Sequence, residues 1–373
     1  MPVKYISVTP LTNLFVPATQ SFGDIAIIGA VDAGALGPKK TPVPVTNPNS
    51  VSFQSSANDG LAVTDIGWFS GDLGNSVVQA FSQAPGPTTV WAIATDPADG
   101  ANALQNGLDE AAKLDVQIVV LANTPLTAVA GQASIEALAT HCNTVSTTGG
   151  DGKERIGVAM LGNGVTDTTL ISGVMAQNRM TMIAHCSDAD AAAAVAGVIA
   201  GYEPHISLLL KPIALDMATV FSDSEIDAFN TARINWVTRS PLLPGNGFYM
   251  GEGYTLGTDQ PYVDIVRTVD EISFALKAAL IRSIGVLRVT RAGLRALVSE
   301  MSAVLQPLQD DGVIDSFLVY FPLLTLLDKA PASLSDVELQ EIHDAQATRA
   351  IASIVTIEYA GAIHRLNITL KFE

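Results

Sequence analysis

The stretch DVQIVVLAN at 115–123 decides the fold class. Its apolar residues run almost without interruption and are rich in β-branched side chains, the mark of a strand buried on both faces. Such a strand belongs in a parallel sheet with helices above and below. The segments that follow fit that expectation: ASIEALATHCNTV (133–145) reads as a helix, RIGVAMLG (155–162) as a strand and MTMIAHCS (180–187) as another. DADAAAAVAGVIAGY (188–202) is a helix with acids in its first turn, where the helix dipole favours them. HISLLLKPI (205–213) is expected to be a fourth strand. This alternation predicts a three-layer α/β domain with a mostly parallel sheet.

On the N-terminal side, DIAIIGAVDAG (24–34) is a buried strand ending in glycine, and GPKKTPVPVTNPNS (37–50) is a turn-rich loop with four prolines. LGNSVVQAFSQAP (73–85) fits an amphipathic helix and TTVWAIATD (88–96) a strand. Residues 1–20 read as an extended arm, because KYISVTP is β-prone and Pro2, Pro10 and Pro17 prevent a helix. On the C-terminal side, Ser222 and Glu225 are spaced as a capping box for a helix over 222–234, and a glycine-rich segment occupies 244–259. Thr268 and Glu271 have the same spacing at the head of a helix over 268–285. A second helix is expected from about 292 to 309, a strand at 313–321 and a short helix capped by Ser335 and Glu338. Two β runs end the chain, 352–361 and 363–373. In the last, Leu366, Ile368, Leu370 and Phe372 alternate with polar residues, giving one apolar face. The expected divisions are an arm (1–20), the first part of the core (21–100), an α/β middle (101–215), a C-terminal α+β domain (216–363) and a second arm (364–373). Overall the fold class is α/β, with an α+β C-terminal part.

Composition narrows the function. Of 373 residues, 48% are hydrophobic and only 15% charged, which excludes disorder as the main state. The net charge of −17 repels phosphate, so direct nucleic-acid binding is not expected. No export signal is read at the N-terminus, and the longest apolar stretches, 191–201 and 317–327, fall short of the ~20 residues a membrane span needs. The mean hydropathy of +0.33 therefore points either to burial against copies of the same chain or to a large monomer core. Charge also segregates along the chain. Six basic residues (Arg267, Lys277, Arg282, Arg288, Arg291, Arg295) lie within 265–300, and eight acids, Asp310, Asp311 and Asp315 among them, lie within 301–345. These are either a solvated face beside an acidic loop or complementary patches on neighbouring subunits.

An α/β domain invites an enzyme reading, but no catalytic constellation is found. Gly162 and Gly164 form G-x-G, with Asp167 where a dinucleotide loop needs its third glycine. Phosphate-loop, H-E-x-x-H and G-x-S-x-G patterns are missing as well. His141-Cys142 and His185-Cys186 supply residue types that bind zinc, at a spacing that structural zinc sites rarely use. The simpler reading is small buried cysteines beside satisfied histidines. No cofactor is expected. The β-prone ends are candidates for pairing with another subunit's sheet edge, or with each other.

The order of segments resembles the contractile tail sheath proteins of phages and related injection machines. Residues 18–53 resemble the family's N-terminal strand, glycine-flanked turn and proline-rich loop, and VVQAFSQAPGPTTVWAIATD (77–96) its next helix and strand. AAVAGVIAGYE (193–203) resembles the family's small-residue helix. FNTARINWV (229–237) resembles its "LN.aGIN" segment, with Arg233 where glycine is frequent. GEGYTLGTDQPYVDIVRTVDEI (251–272) and IEYAGAIHRLNITLKF (357–372) resemble two further family stretches, Arg267 matching one of the family's arginines. The family's "PP.G" signature is missing, with Ser187-Asp188 in its place.

The resemblance implies a structural subunit rather than an enzyme: stacked hexameric rings around an inner tube that contract and drive the tube through a target envelope. It implies partners as well, namely further copies of the chain, the tail tube protein, and baseplate and tail-terminator proteins. The location would be a virion tail, assembled in the host cytoplasm, or a contractile injection particle. Strand exchange would use arms at about 3–9 and 364–373, with Lys4, Ile6, Val8, Leu366, Ile368, Leu370 and Phe372 at subunit contacts. The receiving strands would be about 315–321 and 352–361. Arg267, Arg288, Arg291 and Arg295 would face the tube or meet acids such as Asp310, Asp311 and Asp315. The alternatives are an α/β enzyme of unknown reaction and another virion component.

Overall fold

The computed structural model describes residues 21–33, 35, 37–47, 69–150, 152–173, 178–240, 242 and 247–364. The expected N-terminal arm, with Lys4, Ile6 and Val8, lies outside them. So does the C-terminal arm beyond His364, with Leu366, Ile368, Leu370 and Phe372. The chain divides into two compact units, Ser21–Glu271 together with the segment from Gly361, and Ile272–Ala360.

The first unit is built on one sheet. In chain order its elements are β1 (Ile25–Gly29), β2 (Val43–Val45), α1 (Asp72–Phe81), β3 (Val90–Ala94), α2 (Ala103–Ala111), β4 (Ile118–Leu126), α3 (Gln132–Thr148), β5 (Ile156–Leu161), β6 (Met180–Ala184), α4 (Ala191–Gly201), β7 (Pro212–Ile213), α5 (Asp223–Ala232), β8 (Asn235–Thr238) and β9 (Phe248–Met250). The strand order is β2-β3-β1-β4-β5-β6-β8-β9-β7. The six strands from β3 to β8 pair in parallel, and β2, β9 and β7 add antiparallel edges. Successive strand residues point to opposite faces. Ile25, Ile27, Ile118 and Val120 therefore join the core under α1 and α4, while Ala26, Ile28, Val119 and Leu121 join the core with α2, α3 and α5. This is the three-layer arrangement that the run at 115–123 predicts.

The α4 helix shows why small residues are needed. Every residue from Ala191 to Ile199 is buried. A Cβ on Gly197 would stand 2.3 Å from the Ala80 carbonyl oxygen of α1, and one on Gly201 would stand 2.3 Å from the Pro85 oxygen. The glycines let α4 settle directly on neighbouring backbone, so that dispersion contacts replace side-chain bulk.

Three details depart from the sequence reading. The strand expected over 205–213 shrinks to Pro212–Ile213, because Leu210 turns left-handed (φ 58°) and its N–H goes to Met250 O at 2.9 Å. Residues 216–271, assigned to a C-terminal domain on sequence, carry β8 and β9 and so complete the first unit's sheet. Thr268 and Glu271 do not cap a helix, since α6 (Val263–Leu280) already starts at Val263, and Thr268 is buried within it. The other capping boxes form as expected, Ser222 with Glu225 on α5 and Ser335 with Glu338 on α9 (Asp336–Thr348). Arg233 ends α5 in the left-handed region (φ 57°, ψ 35°), the conformation that favours glycine after a helix. Its guanidinium reaches the Gly257 carbonyl.

The second unit holds α7 (Arg291–Asp310), β10 (Ile314–Tyr320), α8 (Pro322–Asp328), α9 and β11 (Ile354–Tyr359). β10 and β11 form an antiparallel pair with Tyr320 opposite Ile354. One small core gathers Ile272, Leu305, Val313 and Ile314, and another gathers Leu294, Met301, Phe321, Leu323 and Ile342.

Gly197→Ala is expected to destabilise the first unit by about 1–3 kcal/mol through overpacking against α1. Urea unfolding would measure this, and an unchanged midpoint would show that α4 can move away without cost.

Candidate functional site

An α/β enzyme would use the crevice at the carboxyl ends of the parallel strands, where the connections diverge around β1 and β4. Here that crevice, of about 430 Å³, is lined by Asp72, Asn75, Ser76, Gln79, Asn123, Asp188 and Asp190. Its buried carboxylate is committed to structure. Asp190 caps α4 by accepting Ala193 N–H at 2.9 Å, and also accepts Ser76 Oγ–H at 2.5 Å and Asn123 N–H at 2.8 Å. Asn123, held at φ 40°, donates through Nδ2 to Asp72 at 2.9 Å. Burial pushes the Asp190 carboxyl above its ordinary pKa, with the three donors opposing that shift. The acidic lining disfavours phosphate groups.

The two His-Cys pairs go to different tasks. His141 lies on α3, where Arg155 Nη1 approaches its Nε2 at 3.3 Å. Arg155 is fully buried and donates to the carbonyls of Ala111, Leu114 and Lys153 at 2.9–3.0 Å, which closes the C-terminal end of α2. Burial, together with the Arg155 charge, lowers the His141 pKa to about 4. Cys142 is buried and its thiol is pushed up to about 12. His185 follows β6 and contacts Leu161 O through Nε2 at 2.9 Å, while its Nδ1 accepts Ser187 N–H at 3.2 Å. Among the described residues no group of three or more His, Cys, Asp or Glu side chains is arranged to hold a metal ion.

Arg267 is corrected by the structure. It is 5% exposed, and its Nη2 donates to Phe22 O at 3.1 Å and Tyr202 O at 3.0 Å. Burial pulls the guanidinium down to about 10, so it stays charged at neutral pH. It clamps backbone inside its own unit, which leaves little of the side chain open to a tube or a neighbour. A second clamp escaped the sequence reading. The Asn235 side chain donates to Thr181 Oγ1 at 2.7 Å and Tyr254 O at 2.9 Å, and accepts Tyr254 N–H at 2.5 Å. This fastens the glycine-rich segment to β6 and β8. Nothing in the local sequence marks Asn235 apart from the resemblance of 229–237.

What the second unit presents is surface. Among the described residues, β10 and β11 pair with each other and with no other strand. Leu318, Tyr320 and Ile354 are 62%, 42% and 54% exposed on that sheet. Ile281, Ile284 and Val286, between α6 and α7, are 63%, 72% and 70% exposed. Arg288, Arg291, Arg295, Asp310, Asp311 and Asp315 are all exposed. Within the chain, Arg291 and Arg295 meet Asp328, at 2.9 and 3.0 Å, rather than Asp310, Asp311 or Asp315. Asp310 instead accepts Gln306 Nε2–H at 2.9 Å. Among the described residues no helix is long and apolar enough to cross a membrane.

Arg267→Met is expected to unfold or strongly destabilise the first unit, by about 3 kcal/mol or more, since two carbonyls lose their donor. A protein that melts normally and fails only in assembly would contradict the clamp. For His141 the folded pKa lies below the unfolded one, so the unfolded chain binds the extra proton. Stability should then fall as pH drops from about 6.5 to about 4, by roughly 3 kcal/mol in all. Urea titrations across that range should show a shallower slope for His141→Gln.

No family model and no curated protein matches the sequence. Solved structures do match along its whole length. The contracted sheath complex of an extracellular contractile injection system (PVC) has a TM-score of 0.64 at 12% identity, covering 100% of this chain and 98% of that one. The contracted helical sheath of the anti-feeding prophage has a TM-score of 0.64 at 13% identity, covering 98% and 99%. The sheath tail protein from Desulfitobacterium hafniense has a TM-score of 0.57 at 13% identity, covering 85% and 92%. The chain therefore has the fold of the contractile sheath proteins.

Proposed function

We propose that this protein is the structural subunit of a contractile sheath. It polymerises as stacked hexameric rings around an inner tube, and its contraction drives the tube through a target envelope. The observation that carries this reading is the extent of the likeness: at 100% and 98% of the chain, it takes in both units in the same order. The partners are further copies, the tube protein, and baseplate and terminator proteins. The location is a virion tail or a contractile injection particle, assembled in a host cytoplasm. The role is mechanical and not enzymatic.

The physics of the second unit supports it. A small two-stranded sheet can accept strands from the arms at 3–9 and 364–373 of neighbouring copies. Backbone pairing is directional, yet it tolerates rigid-body rotation when it sits on tethers. Contacts that do not close on themselves build a helix. The exposed basic residues Arg288, Arg291 and Arg295 would meet Asp310, Asp311 and Asp315 on another copy. Each 100 Å² of additional apolar burial on contraction would release about 2.5 kcal/mol as an upper value. Summed over many subunits, that is substantial work from an extended state held by a kinetic barrier.

Negative-stain electron microscopy of the protein, alone and with a tube protein as template, should show hollow tubes or stacked rings. Deleting 365–373 should abolish them, while the subunit still melts as before. Reversing Arg288 and Arg291 to Glu should also impair assembly without unfolding the monomer, because the exposed pair with Asp328 is worth no more than about 1 kcal/mol. Small closed particles under both conditions would sink the proposal. Normal assembly of the reversed variant would sink the patch pairing.

A further inference from the structure

His364 is the last residue described before the chain's final nine, and it is fastened on both sides of its ring. Nδ1 lies 2.8 Å from Glu252 Oε2 and Nε2 lies 2.9 Å from Ser207 Oγ. A carboxylate only accepts, so Nδ1–H donates to Glu252; in the neutral ring Nε2 then accepts the Ser207 hydroxyl. The ring also packs edge-on against Tyr262, with centroids 4.7 Å apart. Tyr262 in turn packs on Tyr254 at 5.3 Å.

These partners come from three places in the first unit, and its backbone holds them together. Leu210 N–H donates to Met250 O and Met250 N–H to Lys211 O, both at 2.9 Å, which sets the 207–211 loop beside the end of β9 and Glu252. Val263 N–H donates to Gly253 O at 2.9 Å and brings Tyr262 alongside. The trio has the order of a hydrolytic Ser-His-acid set, but it is spent on fastening. Ser207 is 9% exposed, and its oxygen already accepts Leu209 N–H at 3.2 Å.

We infer that Ser207, Glu252 and Tyr262 form a clasp that anchors His364, so that the segment after β11 is secured to the α/β unit. The bond to the Glu252 carboxylate is charge-assisted, and Glu252 has only 4% of its surface exposed. Removing His364 leaves a buried carboxylate without this partner, so the cost falls on the clasp itself. The inference goes beyond the sheath reading and does not depend on it. Where that reading holds, tension on the C-terminal arm is carried by the α/β unit through His364 and not by the two-stranded sheet.

The test is limited trypsin proteolysis of the full-length, unassembled protein, following cleavage after Arg365 by mass spectrometry. A protease must seat residues on both sides of the cut bond, His364 included, so the clasp should slow the reaction. His364→Ala should raise the cleavage rate about tenfold or more, as the local opening equilibrium shifts. Glu252→Gln and Ser207→Ala, which keep shape and fold, should raise it by smaller factors. Thermal unfolding of each variant checks that the unit as a whole is intact. Wild-type cleavage rates in a folded His364→Ala, or in both milder variants should His364→Ala fail to fold, would overturn the clasp. No tube formation is read, so a failure of the sheath reading would leave the result standing.

Discussion

A parallel sheet hidden on both faces needs two covers that come close enough to exclude water, and the α/β unit depends on meeting that demand. On one face the cover is α4, an eleven-residue helix with nothing bulkier than isoleucine or valine in it. Such a helix gains little from each side chain. It gains by approach, because Gly197 and Gly201 bring it against the backbone of Ala80 and Pro85. Close approach leaves no room for error at the helix start, and there the buried Asp190 carboxylate binds α4, α1 and the end of β4 at one point. In an enzyme of this architecture the same place would be kept free for a ligand.

The same economy governs the cations. The chain has 20 lysines and arginines against 37 acids, yet Arg155 and Arg267 are buried and tied to backbone carbonyls. Arg179 is mostly buried too, in a two-bonded pair with Asp270 at 2.7 and 2.9 Å. Arginine suits this use because its planar fork serves several acceptors at once. Spending cations inside leaves an acidic exterior, and like-charged copies repel at a distance. In the assembly proposed above, attraction between such copies would have to come from short-range contacts, of the kind that the exposed Leu318, Tyr320 and Ile354 offer.

The parts legible in the sequence were those with local causes. The buried strands announced themselves by unbroken apolar runs, and two of three proposed capping boxes formed, because the groups that make a cap are neighbours in the chain. The third failed at Thr268, where tertiary burial of Val263 and Val266 carries the helix further back than its cap signal. Arg267 read as a surface charge because its partners, Tyr202 and Phe22, lie 65 and 245 residues away. His364, Glu252 and Ser207 are separated by 112 and 157 residues, and no spacing rule reaches that far.

By itself, then, the sequence determined the alternation of strand and helix, the layered class and the resemblance in segment order, since all three follow from patterns within a few turns of chain. Only the tertiary structure decided which polar residues serve the interior and which the surface. A charge is placed by the acceptors around it, and those arrive from distant segments once the sheet has brought them together. That is why Arg267 became an internal clamp while Arg288, Arg291 and Arg295 stayed on the surface, and why a histidine near the end of the chain came to rest against the α/β unit.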